Sequence, residues 1–226
     1  MASACYNDGE EDTNNNREAA SGAEWIADDE LTKSVFGDLN ESGAGLQATV
    51  YKRTKNGKNE AGTDSVEDII EDGLQIASVA PQYLAVNYYS SKLVKTLSGM
   101  GETNLDLTFV GHSLGGGLAA LAAMSTGDEA LTYNPAAVSN RTRFITMNIP
   151  FLPVSNVTNY VSATNVCGVS VVADPVTLGQ ALIRMKAPGT MQLVPIGSGL
   201  GPIGKLDSHK IQPLVNALKK LFTKFN

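Results

Sequence analysis

The sequence predicts a one-domain α/β fold built on a mostly parallel sheet. Three observations carry that expectation. Helix-like and strand-like stretches alternate along the chain, as a parallel sheet requires, because each parallel strand needs a crossover. A short apolar run over 105–110 hands over abruptly to a small-residue, alanine-rich stretch over 114–125. That is the pattern of a buried strand feeding a helix packed close against its sheet. Finally, 226 residues, 42% of them apolar, suffice for one sizeable core and are few for two.

Taken in order, residues 1–24 form a polar leading segment with Asn14–Asn16 at its centre, and Trp25 and Ile26 open the first core-like stretch. From Gly45 the chain alternates as a strand does. Leu46, Ala48 and Val50 fall on one face and Gln47, Thr49 and Tyr51 on the other. Asn56-Gly57, within Lys55–Lys58, is a strong two-residue hairpin signal. Residues 64–79 are predicted helical, capped by Asp64 or Ser65, with Glu67 and Asp68 in the first turn and Val66, Ile69, Ile70 and Leu74 as the apolar stripe. Another helix is predicted over 81–98, with Pro81 in its first turn and Tyr83, Leu84, Val86, Leu93, Val94 and Leu97 facing the core. Beyond the helix at 114–125, which Gly127 ends, β-rich runs occupy Ala130–Asn134, Asn159–Ala163 and Val169–Ala173. Residues 187–204 are rich in Gly and Pro and are expected to form a loop. Residues 210–226 are predicted to close the single domain, 1–226, as an amphipathic helix with Ile211, Leu214, Val215, Leu218, Leu221, Phe222 and Phe225 at helical spacing.

Composition narrows the function classes. The net charge is −6, which disfavours nucleic acid as a partner. The charge is unevenly spread: residues 1–30 carry nine acids and one base, and residues 180–226 seven bases and one acid. The basic end would suit transient contact with an anionic lipid interface, although a solvated charged face is the plainer reading. Cys5 and Cys167 belong to no Cys/His cluster, so neither a metal nor another cofactor is implied. No apolar run is long enough to span a bilayer, and the acidic N-terminus lacks the order of a secretory signal. A soluble protein is expected, with its location and export route open.

Gly111-His112-Ser113-Leu114-Gly115 matches GxSxG where a strand turns into a helix. The chemistry explains the pattern. A serine on this sharp turn projects its Oγ above the sheet, and glycines on either side leave room where strand and helix crowd together. The helix N-terminus then offers N–H groups to a developing oxyanion. Such a serine needs a base. The chain has two histidines; His112 adjoins the serine and is expected to point elsewhere, which leaves His209. The orienting acid should lie between them in sequence, where the acids are Asp128, Glu129, Asp174 and Asp207. Asp128 and Glu129 follow the helix and face away from the strand tips. Asp207 sits two residues from His209, close for reaching the far side of its ring. Asp174, at the end of a strand-like run and before Pro175, is the preferred acid, with an Asp-Pro turn as the alternative.

These residues resemble the class 3 lipase family of α/β-hydrolases, including its bacterial lipase and phospholipase A1-like branches. VGHSLGGGLAALAA is similar to that family's elbow and following helix, VVADPV to the segment around its acid, and DSHKI to its histidine segment. Ala61-Gly62-Thr63 followed by DSVEDIIEDG resembles its oxyanion motif and downstream helix, with Val66 at the usual Trp position. The resemblance covers about residues 45–210. It implies that the backbone N–H groups of Leu114 and Thr63 bind the oxyanion; Thr54, in the earlier YKRT and without the family's glycine, is a fallback outside the resemblance. One departure concerns NGKNEAGT, polar where the family has an apolar strand, as if that strand were short or absent.

The reading that follows is a serine carboxylester hydrolase acting on glycerolipid esters, with Ser113, Asp174 and His209 as its triad. Phospholipase A1-type activity is the alternative. Met147, Phe151 and Leu152, with Met191, Leu193 and Val194, are the expected apolar contacts for an acyl chain. Competing readings are a non-catalytic scaffold of the same fold that binds lipid, and a peripheral membrane protein that uses its basic C-terminal helix.

Overall fold

The computed structural model describes residues 25–37, 47–55, 58–66, 81–101, 106–147, 154–182 and 184–223. Among them, eight strands form one sheet. After the two-residue β1 (Ile26–Ala27), helix α1 (Asp29–Phe36) starts at Asp28, whose carboxylate accepts the Leu31 N–H at 2.8 Å. β2 (Gln47–Lys55) and β3 (Lys58–Val66) then pair antiparallel, with Lys55 opposite Lys58. That register is the hairpin which Asn56-Gly57 predicts. β3 is nine residues long but starts at Lys58, so the strand before Ala61-Gly62-Thr63 is present yet short, three residues, and the ladder runs on through the motif to Val66. Its polar side chains hid it. It also absorbs Asp64, Ser65 and Val66, the predicted start of a helix, because backbone pairing with β2 and β4 outcompetes an end cap there. Residues 67–79 of that predicted helix lie outside the described residues.

Helix α2 (Pro81–Gly99) matches its predicted span. It buries Tyr83, Val86, Leu93 and Leu97, whereas Leu84 faces solvent. The central unit follows: β4 (Asp106–His112), α3 (Ser113–Thr126) and β5 (Glu129–Tyr133). Gly127 ends α3 in the left-handed region, at φ 86°, where its N–H caps the Ala123 carbonyl. α3 is almost wholly buried, and Leu118, Ala120, Leu121 and Ala123 show at most 1% exposure. That degree of burial explains its alanines, which let the helix axis approach the sheet.

The chain continues through α4 (Asn140–Met147), β6 (Val157–Val166), β7 (Val169–Val172) and α5 (Pro175–Leu182). It ends with β8 (Thr190–Ser198), the single-turn α6 (Leu206–His209) and α7 (Ile211–Phe222). The sheet order is β1-β2-β3-β4-β5-β6-β7, with β8 also paired to β6. Pairs β3–β4, β4–β5, β5–β6 and β6–β8 are parallel; β1–β2, β2–β3 and β6–β7 are antiparallel. The protein is therefore an α/β fold with a largely parallel central sheet flanked by helices, an α/β-hydrolase-like arrangement.

β8 corrects the predicted loop over 187–204. Its Gly and Pro content reads as punctuation, yet Pro195 is tolerated because the ladder to β6 is broken by a register shift between Ala163 and Thr164, which skips Ile196. In α7, Ile211 and Leu214 are buried as the amphipathic pattern expects, whereas Leu221, expected on the same face, is 41% exposed. Phe225 lies outside the described residues. No described helix is long and apolar enough to cross a membrane.

Candidate active site

The elbow forms where β4 meets α3. Ser113 takes φ 55°, in the left-handed region that side chains avoid. Its carbonyl accepts the Ala136 N–H at 2.7 Å, which helps hold the turn. Gly111 is forced by contact: a Cβ there would lie 2.1 Å from the Gly115 carbonyl oxygen. The strand and helix thus touch backbone to backbone, and Ser113 is presented at the carboxyl end of β4.

His209 ends α6 and turns its ring to this point. Its Nε2 lies 2.6 Å from Ser113 Oγ, and its Nδ1 lies 2.6 Å from Asp174 Oδ1. Asp174 and Ser113 are fully buried. The two readings of Asp174 prove compatible, because its carboxylate has two oxygens. Oδ1 holds the imidazole, and Oδ2 accepts the Thr177 N–H at 2.6 Å, capping α5 with Pro175 as its first residue.

The route to Asp174 differs from a simple strand end. β6 runs past β5, and the antiparallel β7 brings the chain back until Ala173 and Asp174 both donate backbone N–H groups to the Ser162 carbonyl. Asp174 thereby reaches the level at which β5 ends. The other acids are excluded by position. Asp128 and Glu129 flank the amino end of β5, away from Ser113, and Asp207 is 79% exposed and paired with Lys210 at 2.8 Å.

The second oxyanion donor requires a correction. Thr63 lies within β3, opposite Val50 on one side and Phe109 on the other. Phe109 is four residues before Ser113, roughly 13 Å along an extended strand. From there the Thr63 N–H cannot reach an oxyanion at Ser113. Thr54, opposite Asn59 at the far end of the hairpin, is no nearer. Leu114 is the first residue after Ser113 in α3, so its N–H lies at the helix N-terminus beside the nucleophile.

The expected acyl contacts are dispersed. Val194 is 3% exposed, buried on β8. Met191 and Leu193 are exposed on β8, three strands from β4 and roughly 14 Å away by strand spacing. Met147 ends α4, and Phe151 and Leu152 lie outside the described residues.

Sequence reasoning missed Asn134. It follows β5 with φ 43° and is fully buried. Its Nδ2 lies 3.0 Å from Ser162 Oγ and from the His209 carbonyl, and 3.2 Å from the Ser208 carbonyl; its Oδ1 accepts the Ser162 N–H at 2.7 Å. In sequence, Asn134-Pro135 resembles an ordinary turn, which concealed it. His112 does point away from Ser113: its Nε2 lies 2.6 Å from the His209 carbonyl oxygen. Among the described residues no group of three or more His, Cys, Asp or Glu is placed to hold a metal ion.

A strand–serine–helix elbow with a buried Asp–His–Ser relay defines this protein as a serine hydrolase of α/β architecture. Within that class the chain belongs to the phospholipase-like family of Tle-like phospholipase domains, which it matches over residues 1–208. That assignment replaces the narrower expectation of a class 3 lipase. An extracellular phospholipase A1 from Serratia liquefaciens is 37% identical over 105 residues, covering 46% of this chain and 31% of that protein. The chain thus spans about a third of the length of that relative. Two solved structures are also similar. A mutant form of MDLA from Penicillium cyclopium shares 12% identity, with a TM-score of 0.43 over 66% of this chain and 59% of that one. A fungal lipase shares 11% identity, with a TM-score of 0.42 over 65% and 58%.

Proposed function

We propose that the protein hydrolyses a fatty-acyl ester of glycerophospholipids through an acyl-enzyme. The observation that carries this reading is the relay of two 2.6 Å contacts, Ser113 to His209 and His209 to Asp174, in a chain of the Tle-like phospholipase family. The 37% identical relative named a phospholipase A1 favours a phospholipid over a triglyceride and the sn-1 ester over the sn-2.

The steps follow from the geometry. Ser113 Oγ attacks the ester carbonyl as its proton passes to His209 Nε2. Asp174 Oδ1 holds Nδ1–H, so Nε2 is the free basic nitrogen, and stabilises the imidazolium that forms. The Leu114 N–H at the start of α3 faces the oxyanion. When the intermediate collapses, His209 returns the proton to the departing lysophospholipid oxygen. Water, deprotonated by His209, then attacks the acyl-Ser113 carbonyl, and the fatty acid leaves with Ser113 restored. Met191 and Leu193 lie too far away for the ester group but within reach of the distal acyl chain. Contact with a lipid interface is part of the same proposal.

The test is acyl release from phosphatidylcholine with distinguishable sn-1 and sn-2 chains, from a triglyceride and from a short p-nitrophenyl ester, with Ser113→Ala in parallel. Release of the sn-1 acid by the wild type alone supports the reading. Faster turnover of triglyceride would return the protein to the lipases. An inert wild type that also ignores a fluorophosphonate would leave a lipid-binding scaffold.

A further inference from the structure

We propose that His112 and Asn134 are positioning residues for the catalytic base, converging on the carbonyl oxygen of His209 to fix the backbone from which its imidazole reaches Ser113. The inference rests on reading Ser113, His209 and Asp174 as a hydrolytic triad.

His209 ends a helix of one turn, Leu206–His209, whose terminal carbonyls lack partners within so short an element. The sheet supplies them. Asn134 Nδ2 lies 3.2 Å from the Ser208 carbonyl and 3.0 Å from that of His209, and His112 Nε2 lies 2.6 Å from the latter. A carbonyl oxygen can only accept, so His112 must carry its proton on Nε2. The two side chains come from the ends of adjacent strands, His112 from β4 and Asn134 from just beyond β5. One of these strands also carries Ser113, so the nucleophile and the anchor of its base share a rigid support.

Asn134 extends the support to the acid. Its Oδ1 accepts the Ser162 N–H, and the Ser162 carbonyl accepts the N–H groups of Ala173 and Asp174. A continuous set of hydrogen bonds therefore fixes acid and base relative to each other. The His112 and His209 rings lie 4.9 Å apart. Burial, reinforced by His209, pushes the His112 imidazole down to about 4. At neutral pH it is an uncharged donor and does not oppose the imidazolium formed on His209.

The experiment compares His112→Gln, which keeps an N–H donor, with His112→Leu, which fills the space without one, and Asn134→Asp, which keeps shape and loses the donor. Each is measured for kcat and KM on a p-nitrophenyl butyrate assay and for Tm. Loss of the donor should lower kcat about 10- to 100-fold, the cost of a small misplacement, with KM changed less than about twofold. His112→Gln should stay within about threefold of wild type. A His112→Leu protein with wild-type kcat overturns the proposal, as does a folded His112→Gln protein slowed more than about tenfold. If the Leu variant does not fold, Asn134→Asp decides: a folded Asn134→Asp protein with wild-type kcat overturns the proposal. A wild type inert to both the ester and a fluorophosphonate instead overturns the triad reading itself.

Discussion

Ser113 is held mainly by the close-packed backbone of its own turn, with one hydrogen bond from Ala136, whereas His209 is held by side chains 75 and 97 positions away. At the elbow the constraint is steric: positive φ at Ser113, and Gly111 pressed against the Gly115 backbone. Around the base the constraint is hydrogen bonding, through Asp174, Asn134 and His112. The first kind of support fails by excluded volume and takes local structure with it. The second fails bond by bond and leaves the sheet standing. Substitutions on the two sides should therefore separate activity from stability in opposite ways.

The largest effect belongs to the nucleophile and base. Ser113→Ala and His209→Ala should each lower kcat about 10⁵-fold, because the relay acts as a unit, with Tm within a few degrees of wild type. A variant retaining a tenth of wild-type activity would move the nucleophile or the base elsewhere. Asp174→Asn comes next. The amide can still cap α5 but favours the wrong imidazole tautomer, so kcat should fall about 10⁴-fold with Tm nearly preserved. Asp207→Asn, paired only with Lys210 at the surface, is the control and should change kcat less than about twofold. Parallel losses of Tm and kcat in Asp174→Asn would make the cap its main role.

Gly111→Ala probes the other side. The new methyl must displace the backbone of Gly115 and Gly116, so stability should drop by about 3 kcal/mol or more, read from urea unfolding. An alanine variant as stable as wild type would contradict the close contact at the elbow. The smallest effect concerns pH. The His112 imidazole is pushed from 6.5 to about 4 by burial, reinforced by His209. Between those values the unfolded chain binds more protons than the folded one, so stability rises with pH through the window and is lost as pH falls from about 6.5 to 4. The loss should reach up to about 3 kcal/mol and should shrink in His112→Gln. Identical pH dependence in both proteins would show that His112 titrates normally.

The same division explains what the sequence made legible. The elbow was readable because its chemistry is contiguous: GHSLG, an apolar strand before it and alanines after it. Asp174 and His209 followed from elimination among few acids and histidines. Asn134 was not readable, because its role exists only once α6 has docked against the ends of β4 and β5. β3 and β8 were misread for a common reason. β3 is mostly polar and β8 is interrupted by Pro195 and Gly197, and each owes its conformation to neighbouring strands, tertiary pairing that overrides local preference. Thr63 was misplaced for the same cause: the short Gly-Thr signal carries no information about register, and a shift of four residues in β3 decides whether its N–H is useful.

The docking of α6 has a further consequence, for the cooperativity of unfolding. Of its four residues only Ser208 is buried, while Leu206 and Asp207 face solvent. Its attachment to the sheet is therefore mostly polar, and polar attachments contribute less to local free energy than the apolar contacts under α3. The segment that carries the base should open as a unit well below the global unfolding transition. In rising urea, ester turnover should vanish before the helical circular dichroism changes. The enzyme would then have two midpoints, one for its catalytic competence and one for its architecture.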